Sequence, residues 1–280
     1  PLKVFRTFLI RYFILKLGRF EMSFDNKVVI VTGAGAGIGE AIAKRFAQLL
    51  GRVALVDRNE DNLNRVIAEC EGGTKRNLVI VADLSKEEAV NSVVSKTVER
   101  FGRLDVLVNC AGIIVNENIL GDDLGENFDL LMSVNLKAPM ILTSKAAPYL
   151  VENKGNIVNI SSVRAGLPAK KAFLYCSSKA ALEMFTKCMA VEFANDGVRA
   201  NSVHPGFVRT NLYHSANPDL NLKDIYEDVE KKMPFGVIEP EEVAKLVSYL
   251  ASDDARSITG SSHYMDGGLL LLAKKGVEEN

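Results

Sequence analysis

Tyr175 and Lys179 stand four residues apart, so on a helix their side chains share one face. An ammonium beside a phenol favours the phenolate, and the spacing predicts a tyrosine tuned below its usual pKa of about 10. A group so tuned exchanges a proton with an oxygen near neutral pH. Tyr-x-x-x-Lys is a weak signal alone, because such pairs are common on surfaces. It gains weight from Ser162, 13 residues before Tyr175 and just after the apolar run Ile157-Val158-Asn159-Ile160. Open α/β sheets bind ligands at the carboxyl ends of their strands. A hydroxyl there can hydrogen-bond a substrate oxygen.

A second constellation lies near the start. Thr32-Gly33-Ala34-Gly35-Ala36-Gly37-Ile38-Gly39 follows Val28-Val29-Ile30-Val31. It fits neither the GxGxxG spacing nor a P-loop, since no GK[ST] follows. Glycines still let a backbone approach a pyrophosphate, and a helix N-terminus offers unpaired N–H groups. Asp57 closes the next apolar run, 24 residues after Gly33. A carboxylate there accepts hydrogen bonds from an adenosine ribose and repels a 2′-phosphate, which favours NAD over NADP. Arg58 beside it works the other way, because an Arg accommodates that phosphate.

These residues need a scaffold. Apolar runs at 28–31, 53–56, 78–81, 106–108, 157–160 and 198–203 read as strands, and 262–265 as a seventh. Helical patterns lie between them: 41–49, 86–101, one long helix over 127–150, 175–195 and 241–250. Such alternation predicts an α/β fold, a single doubly wound parallel sheet of Rossmann type with helices on both faces. One domain is expected over 23–280, with 1–22 as an N-terminal extension. Residues 206–236 pattern less regularly and read as a flap over a site. Its Phe207, Leu212, Tyr213, Ile225, Met233 and Phe235 suit an apolar pocket, with Lys223, Lys231 and Lys232 interspersed.

The motifs and their order resemble the short-chain dehydrogenase/reductase family in its compact form, over about Phe24 to Leu270. Thr32 to Gly39 is similar to the family's TGxxxGxG turn, and Asp83-Leu84 to its acidic pair by the adenine. Asn109-Cys110-Ala111-Gly112 is similar to its NNAG strand end, with Cys in the second place. Pro205-Gly206, through Val208 to Thr210, is similar to its PGxxxT segment at the nicotinamide, and Asp266-Gly267-Gly268 to its C-terminal DGG. Asn135 falls at the family's catalytic Asn. The resemblance implies that Tyr175 exchanges the substrate proton and that Lys179 lowers its pKa and holds the nicotinamide ribose. It implies that Ser162 orients the reacting oxygen and that Asn135 holds a water in a relay from Lys179. Cofactor contacts are implied for Gly33, Gly35, Ala36, Gly37, Ile38, Gly39, Asp57, Arg58, Asp83, Leu84, Asn109, Ala111, Gly112, Tyr175, Lys179, Pro205, Gly206, Val208 and Thr210. The expected reaction interconverts an alcohol and its ketone or aldehyde with NAD(H), NADP(H) being less favoured. An apolar substrate is expected, of steroid, retinoid, isoprenoid or fatty-acyl type. A nicotinamide-binding sensor without turnover is the alternative, and the complete set of Asn135, Ser162, Tyr175 and Lys179 argues against it. The family implies a homotetramer or homodimer. The helix carrying Ala180, Met184, Met189 and Phe193 and the run Leu269-Leu270-Leu271-Leu272 are its candidate contacts.

Composition excludes several classes. Of 280 residues, 48% are hydrophobic and 25% charged, as in a globular chain. Lys and Arg number 34 against 35 Asp and Glu, for a net charge of −1, so no basic surplus is present to hold nucleic acid. Cys70, Cys110, Cys176 and Cys188 form no CxxC and no disulfide framework, and His204, His214 and His263 are too scattered for a zinc site. Free buried thiols and a reducing, cytoplasmic setting are expected. Residues 1–21 carry five basic groups against one acidic, +4, which leaves −5 for the rest. Their apolar runs are too short to span a bilayer, and their basic groups point all round a helix. An upstream extension before Met22 is expected, with weak membrane or organelle targeting as the other reading.

Overall fold

The computed structural model describes residues 22–213, 221–232 and 234–273. Seven strands form one parallel sheet: β1 Val28–Thr32, β2 Arg52–Asp57, β3 Leu78–Val81, β4 Val106–Asn109, β5 Asn156–Ile160, β6 Arg199–Pro205 and β7 Ser262–Met265. Their order is β3-β2-β1-β4-β5-β6-β7. All five residues of β1 are buried, because a central parallel strand is covered on both faces. Alternate side chains therefore enter different cores. Val29 and Val31 pack with Ile42, Phe46, Leu63, Val243 and Val247. Val28 and Ile30 pack with Val90, Val94, Leu142, Ala146 and Leu150.

The α-helices of five or more residues are α1 Gly37–Gln48, α2 Glu60–Glu69, α3 Glu87–Phe101, α4 Leu124–Met132, α5 Ala138–Asn153, α6 Phe173–Glu192, α7 Leu222–Lys232, α8 Pro240–Ala251 and α9 Leu269–Ala273. The expected doubly wound sheet is the fold observed. Of these, α2, α7 and the short α9 escape the sequence reading. In α2 only Leu63, Val66 and Ile67 are buried, so its apolar stripe is thin. Helix α7 is as polar, with Tyr226 and Val229 its buried residues. Helix α6 stops at Glu192 rather than 195, and a short 3₁₀ turn, Ala194–Asp196, follows it.

The long helix expected over 127–150 is interrupted. A π turn, Ser133–Lys137, separates α4 from α5, and Ala138 N–H donates to Ser133 O, five residues back. Pro139 explains it: lacking an N–H, it cannot give Asn135 O its regular helical bond. The register change falls on Asn135 itself.

The thiols depart in part from expectation. Cys70 is buried and Cys110 and Cys176 are partly so, but Cys188 is exposed on the outer side of α6. Residues 1–21, His214, Pro218 and Met233 lie outside the described residues, as does the chain past Ala273.

Candidate active site

The glycine turn sits at the carboxyl end of β1. Gly37 has φ +55°, the left-handed region, and a methyl on it would lie 2.9 Å from Thr210 Cγ2. A methyl on Gly39 would lie 2.1 Å from Gly33 O, so only glycine lets α1 close on the turn. Ala36 caps α1 in extended backbone without a side-chain bond, which leaves first-turn N–H groups for a ligand. Asp57 Oδ2 accepts from Gly35 N at 3.1 Å and Oδ1 from Asn59 N at 3.0 Å, holding the carboxylate against the turn. Arg65 donates to Gly35 O at 3.1 Å and to Glu40, whose carboxyl it holds down at about 2. This brace was not read from the sequence; its signal is an acidic residue in the first turn of α1 facing a basic one on α2.

Neighbouring strand ends complete the cradle. Thr32 Oγ1 accepts from Cys110 N at 3.0 Å and Ala111 N at 3.1 Å, drawing 110–112 beside the turn. Asn109 donates to Asn159 Oδ1 at 2.8 Å. Asp83 is exposed and Leu84 buried beyond β3, and Arg58 is exposed. Ser85 N–H lowers the Asp83 pKa, with smaller help from Lys86 and Arg58. Gly206 N donates to Met265 O at 2.9 Å and Val208 bridges Ile238, which fixes the segment from Pro205 to Thr210. Backbone N–H groups at a helix start, a carboxylate one strand along and close backbone clearances fit a dinucleotide.

The catalytic candidates converge on the adjoining strand end. Asn135, Ser162, Tyr175 and Lys179 are all buried. Lys179 Nζ lies 5.7 Å from the Tyr175 ring centroid and donates to Ile160 O at 2.9 Å. A methyl on Gly112 would meet Lys179 Nζ at 3.3 Å and Asn135 Oδ1 at 3.5 Å, so these groups share one wall. Ser162 lies close enough to the Tyr175 phenol to lower its pKa. Burial brings Lys179 down to about 8. Burial also pushes the Tyr175 phenol up, while Ser162 and Arg164 pull it down. This corrects the expected lowering by Lys179: two groups that lose water together are each driven toward neutrality.

Asn135 is clamped rather than free. Its Oδ1 accepts from Ile113 N at 2.8 Å, and its amide donates to Ile113 O at 2.9 Å and Ser178 Oγ at 3.1 Å. Ser178 passes this on by donating to Tyr175 O at 2.8 Å. Ser178, which the Tyr-Lys spacing left without a role, thus ties Asn135 to the catalytic helix.

Two further residues were missed. His204 is buried; its Nδ1 lies 3.1 Å from Ser162 O and its Nε2 2.8 Å from Ser202 Oγ. It braces the backbone that presents Ser162, and its only sequence signal is a histidine at a strand end. Arg164 N–H donates to Ser162 Oγ at 3.1 Å, and its guanidinium donates to Pro168 O at 3.3 Å. Its charge reaches both Tyr175 and Tyr213.

The flap meets the site through two aromatics. Tyr213 lies 5.8 Å from Phe207, ring to ring, and burial pushes its phenol up to about 12. Tyr226 OH accepts from Thr210 N at 3.1 Å and donates to Thr210 O at 2.8 Å. Phe235 is 85% exposed. Among the described residues, no group of three His, Cys, Asp or Glu could hold a metal, and no helix is long and apolar enough to cross a membrane.

Comparison with known proteins agrees with this geometry. A family model described as enoyl-(acyl carrier protein) reductase matches residues 33–270. A meso-2,3-butanediol dehydrogenase of Serratia marcescens is 36% identical over 249 residues, 88% of this chain and 96% of the relative. A 3-oxoacyl-(acyl-carrier-protein) reductase of Thermotoga maritima is 35% identical over 254 residues, 89% of this chain and 100% of the relative. A 3-ketoacyl-(acyl-carrier-protein) reductase of Brucella melitensis, solved with NADH, superposes with a TM-score of 0.79 at 32% identity, covering 88% of this chain and 99% of that one. L-sorbose reductase of Gluconobacter frateurii, solved with NADPH and L-sorbose, gives a TM-score of 0.81 at 30% identity, covering 90% and 99%.

Proposed function

The chain belongs to the short-chain dehydrogenase/reductase family, and from that premise we propose that it interconverts an alcohol and its ketone or aldehyde, with NAD(H) preferred over NADP(H). The observation that carries the reading is the buried meeting of Ser162, Tyr175 and Lys179 beside Gly112 and the glycine turn. When bound, the nicotinamide cofactor supplies or accepts the hydride. Tyr175 donates its phenolic proton to the carbonyl oxygen in reduction and takes it back in oxidation. Ser162 hydrogen-bonds the same oxygen and stabilises the charge that develops on it. Lys179 has N–H donors beyond its bond to Ile160 O, and these would hold the ribose hydroxyls. Asn135 keeps the wall beside Lys179 in place and serves the relay that returns a proton to it.

Asp57 carries the cofactor preference, by repelling a 2′-phosphate. Phe207 and Tyr213 support an apolar substrate of steroid, retinoid, isoprenoid or fatty-acyl type. Met184 and Val191, both largely exposed on α6, and Leu271 on α9 support a homodimer or homotetramer, and the free cysteines support a cytoplasmic setting. The deciding experiment follows NADH and NADPH absorbance with a panel of apolar and sugar-derived ketones. Carbonyl-dependent oxidation that is faster with NADH is expected. No oxidation with any carbonyl removes the proposal, and a higher kcat/KM with NADPH removes its cofactor half. Light scattering of the intact chain checks the assembly, and a monomer ends that part.

A further inference from the structure

At the opposite end of the strands lies a cleft that the reaction does not use. Asp25, Arg52, Lys75, Arg76, Arg100 and Phe101 line a cavity of about 320 Å³. Asp25 precedes β1, Arg52 opens β2, Lys75 and Arg76 precede β3, and Arg100 and Phe101 end α3. All therefore sit at the amino ends of the strands, a strand length of roughly 17 Å from the glycine turn.

Its charge is the notable feature. Four cations face one carboxylate, a local +3, on a chain whose residues beyond 21 carry −5. Like charges repel unless something gathers them. Elsewhere basic side chains meet acidic ones closely, as Lys44 meets Glu40 and Glu69 at 2.6 Å and Arg103 meets Asp105 at 2.6 Å. In the cleft the ion pair is loose: Arg76 stands 3.9 Å from Asp25. The guanidiniums are steered instead by neutral acceptors. Arg76 donates to Leu50 O at 2.6 Å, Arg100 to Lys75 O at 3.3 Å and Arg52 to Asn26 Oδ1 at 3.4 Å. Each of these bonds uses one nitrogen of a five-donor fork, so the heads are oriented while most donors stay unspent. Arg100 also lies over the Phe101 ring at 5.4 Å, which further orders it.

We infer that this cleft is a second anion site, one that takes a phosphate-bearing group of about two linked phosphates. Two such phosphates carry roughly −3 near neutral pH, extending the near −2 of a single phosphate ester, and so match the local charge. Guanidinium forks suit phosphate oxygens, and the cavity lies at the small end of ligand-sized pockets. The phosphates belong either to a soluble polyphosphate compound or to a lipid headgroup. The second source has support in the sequence, because the +4, apolar segment 1–21 stands only four residues before Asp25 along the chain.

The test uses the full chain saturated with NADH, so that the glycine turn takes no probe. Inorganic pyrophosphate is titrated by calorimetry. Binding to vesicles of phosphatidylcholine, alone or mixed with diacylglycerol pyrophosphate, is measured by flotation. The expected result is binding of pyrophosphate, or of the diacylglycerol pyrophosphate vesicles alone, weakened roughly tenfold by Lys75→Gln or Arg52→Gln and strengthened a few-fold by Asp25→Asn. Both Lys75 and Arg52 lie away from the catalytic machinery, so the same variants keep wild-type kcat and Tm. Pyrophosphate binding assigns a soluble ligand, and vesicle binding alone assigns a lipid. Failure of both probes, or binding that ignores the three substitutions, overturns the inference. The carbonyl assay reports on the oxidoreductase reading separately.

Discussion

The glycine turn and the flap at 206–236 face each other across the open end of the sheet, and they are built from different materials. The turn is defined by backbone clearances: a methyl at Gly39 would stand 2.1 Å from Gly33 O, and one at Gly37 2.9 Å from Thr210 Cγ2. The described part of the flap is held largely by side-chain pairs and by backbone bonds at its base. Within it Tyr226 pairs with Thr210 and Arg209 with Glu230; outward, Arg209 meets Glu239 and Val208 bridges Ile238, while Phe235 is left in solvent. A backbone cradle serves one invariant ligand and tolerates no side chain. A side-chain surface held at a few points can change its lining without disturbing the sheet beneath. On the proposed reading the two carry different information: the turn, with Gly206 to Thr210, serves the cofactor, and the flap beyond Thr210 serves the substrate.

The largest expected effect breaks the chemistry while sparing both regions. Tyr175→Phe removes the proton donor alone and should lower kcat about 10²- to 10⁴-fold with the Kd for NADH unchanged; near-wild-type kcat would take Tyr175 out of the mechanism. Next comes the turn itself. Gly39→Ala should cost about 3 kcal/mol and abolish NADH binding, since backbone meets backbone and no side chain can yield. Gly125→Ala in α4, where a methyl meets nothing within 4 Å, should instead stabilise by about 0.5 kcal/mol. Equal effects in urea unfolding would undo the claim that clearance defines the turn.

A third prediction concerns the buried ammonium between the two regions. Lys179 titrates near 8 in the fold against about 10.5 in an unfolded chain. Below pH 8 both states hold the proton, and the native state bears the full cost of burying the charge. Between about pH 8 and 10.5 the unfolded chain holds the proton and the native chain releases it, so this contribution makes stability rise with pH. Lys179→Met should therefore be more stable than wild type by about 2 kcal/mol at pH 7, after allowance for the lost bond to Ile160 O, and inactive. That advantage should shrink as pH rises through the window. A constant difference from pH 7 to 10.5 would show that Lys179 is not penalised by burial. The smallest effect belongs to the flap: Phe235→Ser should leave stability within about 0.5 kcal/mol. A larger loss by thermal melts would mean that Phe235 packs, and that the contrast between the regions is weaker than drawn.

How much of this was legible follows from the range of each interaction. The seven strands were readable because parallel strands buried on both faces leave unbroken runs such as Val28–Val31. Helices α2 and α7 were not, because each buries so few residues that its periodicity is faint. The π turn was hidden since its cause, Pro139, reads equally well as an ordinary second residue of a helix. Among the site residues, Tyr175, Lys179 and Ser162 stood out through short spacings. His204 and Arg164 did not, since one acts through Ser162 O and the other through charge reaching Tyr175.

Legible in the residues alone were the order of the strands, the glycine turn with Asp57 one strand later, and the Tyr175–Lys179 pair. Each of these is a local pattern, enforced by sterics or by a single helix. Only the tertiary structure decided the rest. It seated Thr210 on Gly37, clamped Asn135 to Ile113 and Ser178, and set Lys179 against Ile160 O. It also drove Tyr175 and Lys179 toward neutrality, against the local expectation for the phenol. The physical reason is burial: what a charge costs depends on how much water its neighbours exclude, and those neighbours come from strands far apart in the chain.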